Sequence, residues 1–432
     1  MAIVTTLLYF LAFWGSSTSL HALATRYGES DVDEQDSFLF EHKRQSSSAC
    51  SGNITILHQA GLATSQIASC TSFTGDIILD HASGNISFLT EAEEGLTFLD
   101  GSVYCRNNAG LQQLSLFGLI TITGSVVVDN VENLVLMEGE ALVNVQSIRV
   151  TDAPKMLFVS FAALNQLEFL EIGGTPMTYE DTISSGLAMA SIGSLYIHDN
   201  FNLTIGVLSF LRLRNITNSF IFENNGPNSQ IVMNLLWASN ITLRNVQSID
   251  FQRMIAVNNS FEISNSENLT DIGSDVLGFI GGSFVQNNPN LQRVGLAGLK
   301  STGGSLVITE NPSLQFLAAG SLQTVTSMDL AGPFQSLNSL NVSFDSLSHV
   351  SEGIKVEFTN QTPPVECTWS VGDETHALSG AWSSFFVCNG TVHTPSTHTS
   401  NALLTQVKPG GIASCILLAV ACWSLFYWTV KL

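Results

Sequence analysis

Short stretches in which apolar and polar residues alternate recur along the chain from about residue 50 to residue 347. Each stretch starts at a serine and ends at an asparagine, and an apolar residue follows three or four places later. Alternation with a period of two is typical of a half-buried strand, so each copy predicts one short β-strand. Clear copies begin at Ser125, Ser194, Ser260, Ser283 and Ser305, and weaker copies begin at Ser147, Ser219, Ser239 and Ser327.

The spacing of the copies predicts how the strands assemble. Intervals of 20 to 24 residues separate the successive asparagines Asn200, Asn224, Asn245, Asn265, Asn288 and Asn311. That period is typical of solenoid repeats, which bury their apolar faces by stacking. Asparagine suits the turns, because it tolerates unusual backbone angles and its amide can bond stacked backbone groups. We therefore predict a mostly β fold over residues 45–390. It is a right-handed parallel β-solenoid, or a leucine-rich-repeat-like array with helical turns on one side.

The cysteines predict how the ends of this solenoid are closed. Two of the seven cysteines lie in an apolar C-terminal tail, and four of the others enclose two short loops near the ends of the array. We predict disulfides that staple both caps, Cys50 with Cys70 and Cys367 with Cys388, because a secreted protein favours pairing and an open solenoid end exposes its core. Cys105 is left over. It is either a free buried thiol or the partner of one of the other cysteines.

The first 24 residues are typical of a signal peptide. Residues 3–14 form an apolar run that is too short to span a bilayer comfortably, and Ala22-Leu23-Ala24 supplies small residues for cleavage. We predict cleavage between Ala24 and Thr25, with an uncleaved membrane anchor as the alternative. Residues 25–44 then form an acidic arm that ends in Lys43-Arg44. This pair is either a processing site or part of an arm that stays attached.

The last residues match the signal for a glycosylphosphatidylinositol (GPI) anchor. A Ser/Thr-rich stem at 391–400 precedes a small-residue site, a spacer at 403–411 and an apolar tail at 412–430. A transmembrane helix is the alternative, because the tail is long enough to span a bilayer. However, no basic cluster follows the tail to stop its transfer. We predict that the signal at 401–432 is removed and that the glycolipid is attached at Ser400 or Asn401.

Charge and glycosylation motifs narrow the choice of partners. Charged residues make up only 12% of the 432 residues, and the formal net charge of −21 argues against nucleic acid or an anionic membrane surface as a partner. Asn-X-Ser/Thr sequons in a secreted chain predict N-glycosylation, although those within the asparagine turns have a structural role as the alternative. The sequon asparagines are Asn53, Asn85, Asn202, Asn215, Asn240, Asn258, Asn268, Asn341, Asn360 and Asn389.

The sequence contains no recognisable catalytic constellation. Enzymes built on β-solenoids need clustered carboxylates or metal-binding aspartates, and the acidic residues here are scattered. Asp129 and Asp152 are 23 residues apart, as expected for adjacent turns. Both occupy the turn position that asparagine takes elsewhere, which favours a turn role. We expect no catalytic residue, cofactor or metal site, although stacking could still bring distant carboxylates together.

The order of these features resembles the fungal family of GPI-anchored, receptor-L-domain-like cell-wall proteins. This family includes the extracellular-mutant and sporulation-specific wall proteins. The likeness rests on the segments CSGNITI at 50–56 and IASCTSFTGDI at 67–77, and on Cys367-Thr368-Trp369 followed by Cys388. It implies a receptor-L-domain type of solenoid, either undivided or in two L-domain-like halves. It also implies localisation on the outer face of the plasma membrane and in the cell wall.

The resemblance also implies a non-enzymatic role in cell-wall organisation and integrity. Wall polysaccharide or other wall proteins are the expected partners, and the membrane is reached through the glycolipid. The short stem leaves open whether the protein is linked covalently to the wall or retained at the membrane. A carbohydrate-active enzyme is one alternative. An adhesin or ligand-binding receptor is another, and it would present an exposed apolar or aromatic patch free of sequons.

Overall fold

The computed structural model describes residues 50–88, 95–177, 189–203, 207–209, 212–232, 234–251, 253–332, 341–343, 346–358, 386–388 and 391–393. All of them belong to one compact unit, Ser48–Leu432. The predicted signal peptide with Ala24 and Thr25, the acidic arm and the anchor signal with Ser400 and Asn401 lie outside the described residues. Cys367, Asn360 and Asn389 lie outside them as well. Within the described part of the chain, no helix is long and apolar enough to cross a membrane.

A sheet of 20 strands runs the length of the solenoid, and its strands pair in parallel except for the last pair. Its first ten strands are β1 (Ile54–Ile56), β2 (Ser72–Thr74), β3 (Ile77–Asp80), β5 (Phe98–Asp100), β6 (Val103–Arg106), β8 (Thr121–Asp129), β10 (Asn144–Thr151), β12 (Phe169–Gly173), β13 (Ser191–His198) and β15 (Asn215–Glu223). The others are β17 (Trp237–Arg244), β19 (Ala256–Ser264), β21 (Phe279–Ile280), β22 (Ser283–Gln286), β24 (Ser301–Thr302), β25 (Ser305–Thr309), β27 (Thr324–Gly332), β29 (His349–Phe358), β30 (Phe386–Cys388) and β31 (Thr391–His393).

Three shorter parallel sheets form the opposite side of the solenoid. The first contains β4 (Ser83–Ser87), β7 (Gly110–Ser115), β9 (Leu136–Glu138) and β11 (Phe158–Ser160). The second contains β14 (Val207–Ser209), β16 (Gln230–Val232) and β18 (Ser248–Asp250), and the third contains β20 (Asp271–Gly273), β23 (Arg293–Gly295), β26 (Phe316–Ala318) and β28 (Asn341–Ser343). The predicted mostly β fold is therefore confirmed as a parallel β-solenoid.

Strand β8 shows how one repeat builds the long sheet in two segments. Its first segment pairs through Thr121 and Ile122 with β5, and its second segment pairs through Val126 and the following residues with β6. Ile122, Val126 and Val128 are buried in the core that runs along the whole array. The residues between them point outward, as the alternation in the sequence predicts. A register shift separates the two segments, and it recurs in most of the longer strands.

The residue that follows each second segment adopts a left-handed conformation. Its φ lies between 50° and 58° at His81, Asn107, Asn130, Asp152, Asp199, Asn224, Asn245, Asn265, Asn287 and Glu310. Asparagine and aspartate adopt this conformation more readily than other residues with a side chain. Asp152 therefore has the predicted turn role. The same expectation is wrong for Asp129, which is the last residue of β8 and accepts a hydrogen bond from the Thr151 hydroxyl at 2.8 Å.

The residue after each left-handed position is buried. Where it is asparagine, we call the stacked copies the asparagine ladder. Its members Asn108, Asn200, Asn225, Asn288 and Asn311 are at most 1% exposed. The Oδ1 atom of each member accepts a backbone N–H from the preceding turn, as between Asn288 and Ser266 at 3.0 Å. The recurring asparagine of the sequence thus serves two neighbouring positions. One is the left-handed turn and the other is this buried ladder.

The N-terminal cap contains the predicted disulfide between Cys50 and Cys70, with 5.9 Å between their Cα atoms. The loop that it closes forms helix α1 (Gln59–Thr64) and a 3₁₀ helix (Gln66–Ser69). Leu62 and Ile67 are buried there and cover the first turn of the core. Both described helices lie in this cap. The alternative of helical turns along one side of the array therefore finds no support in the described residues.

Cys105 is the free buried thiol of the two alternatives left open by the sequence. It takes a core position in β6, in register with Leu79 of β3 and Val128 of β8. Burial raises the pKa of this thiol to about 12, although the Asn108 amide that donates to its sulfur lowers it. The thiol is therefore protonated at physiological pH, and it packs as a small apolar side chain.

One repeat differs from its neighbours in register. The sequence places Ser283 in the same position as Ser260 and Ser305, but in the structure Ser283 pairs with Phe261 and, on the other side, with Leu306. It therefore occupies a core position, where it is 1% exposed and its hydroxyl has no hydrogen-bond partner. An alignment of the repeats by their serines fails here, because this repeat has one residue fewer between its two segments.

At the C-terminal end the long sheet continues through β29 to β30, and β31 pairs with β30 in antiparallel fashion. Cys388 lies in β30, in register with Val356. Its pairing with Cys367 stays a prediction, since Cys367 lies outside the described residues. The first residues of the predicted Ser/Thr stem, Thr391–His393, form strand β31.

Candidate functional site

The described sequon asparagines lie in turns, in the shorter sheets and at several strand positions of the long sheet. Asn85 lies in β4, Asn202 and Asn268 follow the ladder position in the turns, and Asn258 lies between the two segments of β19. These four are exposed, as is Asn53 at the start of β1. None of them is a member of the buried asparagine ladder. The remaining described sequons begin at Asn215, Asn240 and Asn341, in β15, β17 and β28.

Three of these asparagines have side-chain polar atoms that are either hydrogen-bonded or buried. The Asn240 amide donates to the carbonyl oxygen of Asn218 at 2.8 Å, and the Asn268 amide donates to that of Pro227 at 2.9 Å. The Oδ1 atom of Asn215 is buried without a hydrogen-bond partner. The structural alternative to glycosylation therefore applies to particular sequons, and Asn215 is the one whose side chain is least open to solvent at its polar end.

The second segments of the long sheet carry two rows of side chains that alternate with the core positions. Most of these side chains are exposed or half-buried, whereas Val127 and Ser264 are buried. We call these rows the outer face. One row contains Tyr104, Val127, Arg149, Glu171, Tyr196, Ile221, Thr242, Glu262, Phe284 and Val307. The other contains Arg106, Asp129, Thr151, Gly173, His198, Glu223, Arg244, Ser264, Gln286 and Thr309. Among the described residues, no sequon asparagine lies in either row.

A charged cluster occupies the middle of the outer face. The His198 ring lies 3.2 Å from Glu171 through Nε2 and 2.8 Å from Asp199 through Nδ1. The hydrogen bond with Glu171 is the main cause that raises the pKa of His198 to about 9, while burial opposes the shift and Asp199 adds to it. The same bond lowers the pKa of Glu171, against the effect of its burial and with help from Arg149. His198 is therefore cationic at neutral pH and Glu171 is anionic.

Arg244 extends the cluster across the next turns. Its guanidinium donates to Glu223 at 2.6 Å and to Glu262 at 2.9 Å, so one cation bridges the carboxylates of two flanking strands. Burial lowers the pKa of Arg244, but the bonds to Glu262 and Glu223 outweigh it and raise that pKa overall. The Ser264 hydroxyl donates to Glu262 as well. Each carboxylate of the cluster is therefore paired with a cationic side chain.

Aromatic side chains border the charged cluster. The rings of Phe169 and Tyr196 meet edge to face with 5.1 Å between their centroids. The guanidinium of Arg149 lies 4.6 Å above the Phe169 ring, and that of Arg106 lies 5.1 Å above Tyr104. Such cation–π and edge-to-face contacts stabilise a flat, partly apolar surface. The outer face thus has the composition expected of the ligand-binding alternative, an aromatic patch without sequons.

Internal pairing limits the capacity of the charged cluster for acid–base chemistry. A general acid or base has to reach a substrate proton, whereas His198 already contacts two carboxylates. Within the part of the chain that the structure describes, no group of three acidic, histidine or cysteine side chains is placed to hold a metal ion. Asp129 and Asp152, the pair singled out in the sequence, are not part of the cluster. The expectation that the protein is not an enzyme stays a prediction.

Sequence reasoning missed the residues of the charged cluster. Glu171 and His198 are 27 residues apart, and the stacked strands place them diagonally, while Glu223 lies in register with His198. The available signal was a charged residue directly after a buried strand residue, in a chain with few charges. It becomes visible only when the repeats are aligned by register instead of by their serines.

Comparison with known proteins finds distant similarity to a fungal cell surface protein. Over 207 residues the chain is 26% identical to the cell surface GPI-anchored protein ECM33 of Candida albicans. The match covers 47% of this chain and 48% of the relative, so the chain spans about half the length of the curated relative it matches. No protein-family model matches the chain. No solved structure matches it. The similarity to ECM33 supports the resemblance to fungal GPI-anchored wall proteins.

Proposed function

We propose that this protein is a non-enzymatic glycoprotein of the fungal cell surface that supports the organisation and integrity of the cell wall. A glycolipid holds it on the outer leaflet of the plasma membrane. The observation that carries the proposal is the similarity to a GPI-anchored cell surface protein. The solenoid supports it, because a long sheet with an uninterrupted outer face is suited to binding an extended partner. Wall polysaccharide and other wall proteins are the proposed partners.

The anchor is tested on intact cells with phosphatidylinositol-specific phospholipase C. We expect the enzyme to release the protein into the medium, as it releases a known GPI-anchored control. Retention of the protein on cells that release the control would refute the glycolipid. A protein with the residues 412–430 replaced by a transmembrane helix of another protein provides the matched variant, since it should stay on the cells.

The role in the wall is tested by deleting the gene and exposing the cells to wall-perturbing dyes. We expect the deletion to sensitise the cells and the full-length chain to restore resistance. Two substitutions locate the function on the molecule. Tyr196→Ala, on the outer face, is expected to restore resistance poorly, and Phe158→Ala, on β11 of the opposite side, is expected to restore it fully. Equal rescue by both variants would contradict binding through the outer face.

A carbohydrate-active enzyme is the second candidate, and the His198 cluster favours it, since stacking has brought two carboxylates and a cation together. Incubation of the full-length protein with wall glucans and chitin, followed by analysis of reducing ends, distinguishes the two. We expect no product above that of a Glu171→Gln variant. Product formation that this substitution abolishes would overturn the non-enzymatic proposal.

A further inference from the structure

A second surface of the long sheet, separate from the outer face, forms a groove lined by polar side chains. It lies on the first segments of β8 and β10 and on the residues before β12, and it encloses a cavity of about 290 Å³. Outward-pointing side chains of three consecutive turns line it in pairs. We call it the polar groove, and its polar lining residues are Thr121, Thr123, Asn144, Gln146, Gln166 and Glu168.

The groove offers many hydrogen-bonding groups that the fold itself uses only in part. Thr123 donates to Asp100 at 2.9 Å and Gln146 donates to Glu168 at 3.3 Å, so neighbouring turns are linked along one wall. These bonds use one donor of each side chain. The second amide hydrogen and the carbonyl oxygen of Gln146 remain open to solvent, and each amide carries two donors and an acceptor. Hydroxyl, amide and carboxylate groups with spare capacity are suited to the hydroxyls of a sugar.

An exposed aromatic ring stands at one end of the groove. Phe98 of β5 is in register with Thr121 and is 38% exposed. Its ring provides an apolar surface beside the polar row, and the C–H face of a pyranose ring is the part of a sugar that packs on such a surface. A strip with polar groups along its length and an aromatic ring at its end matches the two kinds of surface that a sugar chain presents.

The repeat of the groove matches the repeat of an extended sugar chain. Parallel strands are spaced about 4.8 Å apart, so the four turns from Phe98 to Gln166 extend over about 14 Å. One unit of an extended β-linked glycan is about as long as one strand spacing. Each turn can therefore present the same pair of polar groups to about one sugar unit, which gives about three units over the groove. Among the described residues, no sequon lies in the groove.

We propose that the polar groove binds an extended, uncharged β-linked polysaccharide, made of glucose or N-acetylglucosamine units, through amide and hydroxyl contacts to its hydroxyls and through stacking on Phe98. This proposal rests on the proposed role in the wall and assigns a site for its polysaccharide partner. The uncharged ligand follows from the lining, whose polar groups are amides and hydroxyls apart from one carboxylate, Glu168, at one end.

The test measures binding of the full-length detergent-solubilised glycoprotein to β-1,3-glucan oligosaccharides and, separately, to N-acetylglucosamine oligosaccharides. Binding to either series supports the proposal and identifies the monomer. Gln146→Ala and Phe98→Ala are each expected to weaken it about tenfold, as the loss of one good contact does. Gln315→Ala and Phe158→Ala change exposed residues on the opposite side and are expected to leave it unchanged. Equal loss in groove and control variants would overturn the site.

A sugar placed in the groove gives a second, independent test. Thr121→Asn creates the sequon Asn-Ile-Thr at 121–123 with a single change. Its glycan is expected to abolish oligosaccharide binding, and removal of the glycan by an endoglycosidase is expected to restore it, which shows that the variant is folded. Unchanged binding by the glycosylated variant contradicts the groove.

Absence of oligosaccharide binding, in a protein that still restores wall resistance, refutes the groove and leaves the proposed function standing.

Discussion

The buried asparagines determine how one turn of the solenoid rests on the next. Asn288 donates to the carbonyl oxygen of Ile263 in the preceding turn at 3.2 Å and to Oδ1 of Asn311 in the following turn at 3.1 Å. Its own Oδ1 accepts the N–H of Ser266. Buried backbone groups that lose such partners cost free energy, so the ladder satisfies the backbone where the chain leaves the sheet.

Replacement of a ladder asparagine should destabilise the protein far more than replacement of a surface one. We expect Asn288→Ala to lower the free energy of unfolding by about 3 kcal/mol, because it leaves buried donors and acceptors unpaired. Asn290→Ala, two residues along the same turn, removes one exposed bond to Glu267 and should cost less than about 1 kcal/mol. Urea unfolding measures both. A similar loss of unfolding free energy in both variants would show that a ladder asparagine stabilises the fold no more than a surface asparagine.

Ser283 gives the opposite prediction, since its buried hydroxyl has no partner. Ser283→Ala should raise the free energy of unfolding by about 1 kcal/mol, because removal of an unpaired hydroxyl from the core recovers its desolvation cost. The same change at Ser147, whose hydroxyl donates to Ser125 at 2.6 Å, should lower it by about 1 kcal/mol. Thermal unfolding of both variants provides the check. A loss of stability on replacing Ser283 would indicate that its hydroxyl is bonded after all.

The sequence predicts residue roles only as far as the register of the repeat is known. It identifies asparagine as the turn former, but the turn and ladder positions are adjacent and both favour asparagine, so Asn265 and Asn288 look equivalent. Ser283 is misplaced for the same reason. One deleted residue shifts it from the bend to the core, and a serine-based alignment cannot register the deletion.

At the scale of strands, the charged cluster links β12, β13 and the turn that follows β13. Protonated His198 contacts Glu171 on one side and Asp199 on the other, and Arg149 lies beside Glu171. The folded state raises the pKa of His198 above that of an unfolded histidine, which is about 6.5. The stabilisation is therefore fully present below pH 6.5, and it is lost as the pH rises through about 9.

This linkage predicts a pH dependence that one substitution removes. Between about pH 6 and pH 9.5 the free energy of unfolding should fall by about 2 kcal/mol more in the native protein than in His198→Gln, allowing for screening by water around the half-buried cluster. Urea unfolding at several pH values measures it. His81→Gln, which changes a histidine with an 83% exposed side chain, should behave like the native protein. A titration of His198 by NMR with a pKa near 6.5 would contradict the prediction.

The sequence predicts the strands and the N-terminal cap better than it predicts the cluster. Alternation identifies each second segment, and two cysteines that are 20 positions apart identify the closed loop. The first segments are too short for alternation to be noticed. The helix within the cap has six residues, too few for a helical period. The cluster depends on contacts between turns, which the order of residues does not contain.

At the scale of the whole molecule, the surface divides into a part with sequons and a part without them. The described sequons lie in turns, in shorter sheets and at positions of the long sheet outside the two outer-face rows, and the outer face has none. Charged residues make up only 12% of the chain, so we expect glycans to keep the first part soluble. The second part carries a local concentration of charge instead, at Arg149, Glu171, His198, Glu223, Arg244 and Glu262. We therefore expect the two parts to remain soluble by different means. The part without sequons, which includes the outer face and the polar groove, leaves protein surface open to a large partner.

This division predicts which sequons carry sugar in the folded protein. Asn85 and Asn258 are exposed, so glycopeptide mapping of the cell-derived protein should find both almost fully occupied. Asn215 should be almost unoccupied, since its Oδ1 atom is buried in β15 and a chain glycosylated there would have to expose that side chain. Asn85→Gln should remove one glycan mass, whereas Asn215→Gln should remove none. Full occupancy at Asn215 would mean that its side chain is exposed in the folded protein. The first segment of β15 would then differ from the conformation described, and the sequon-free surface would be the outer face alone.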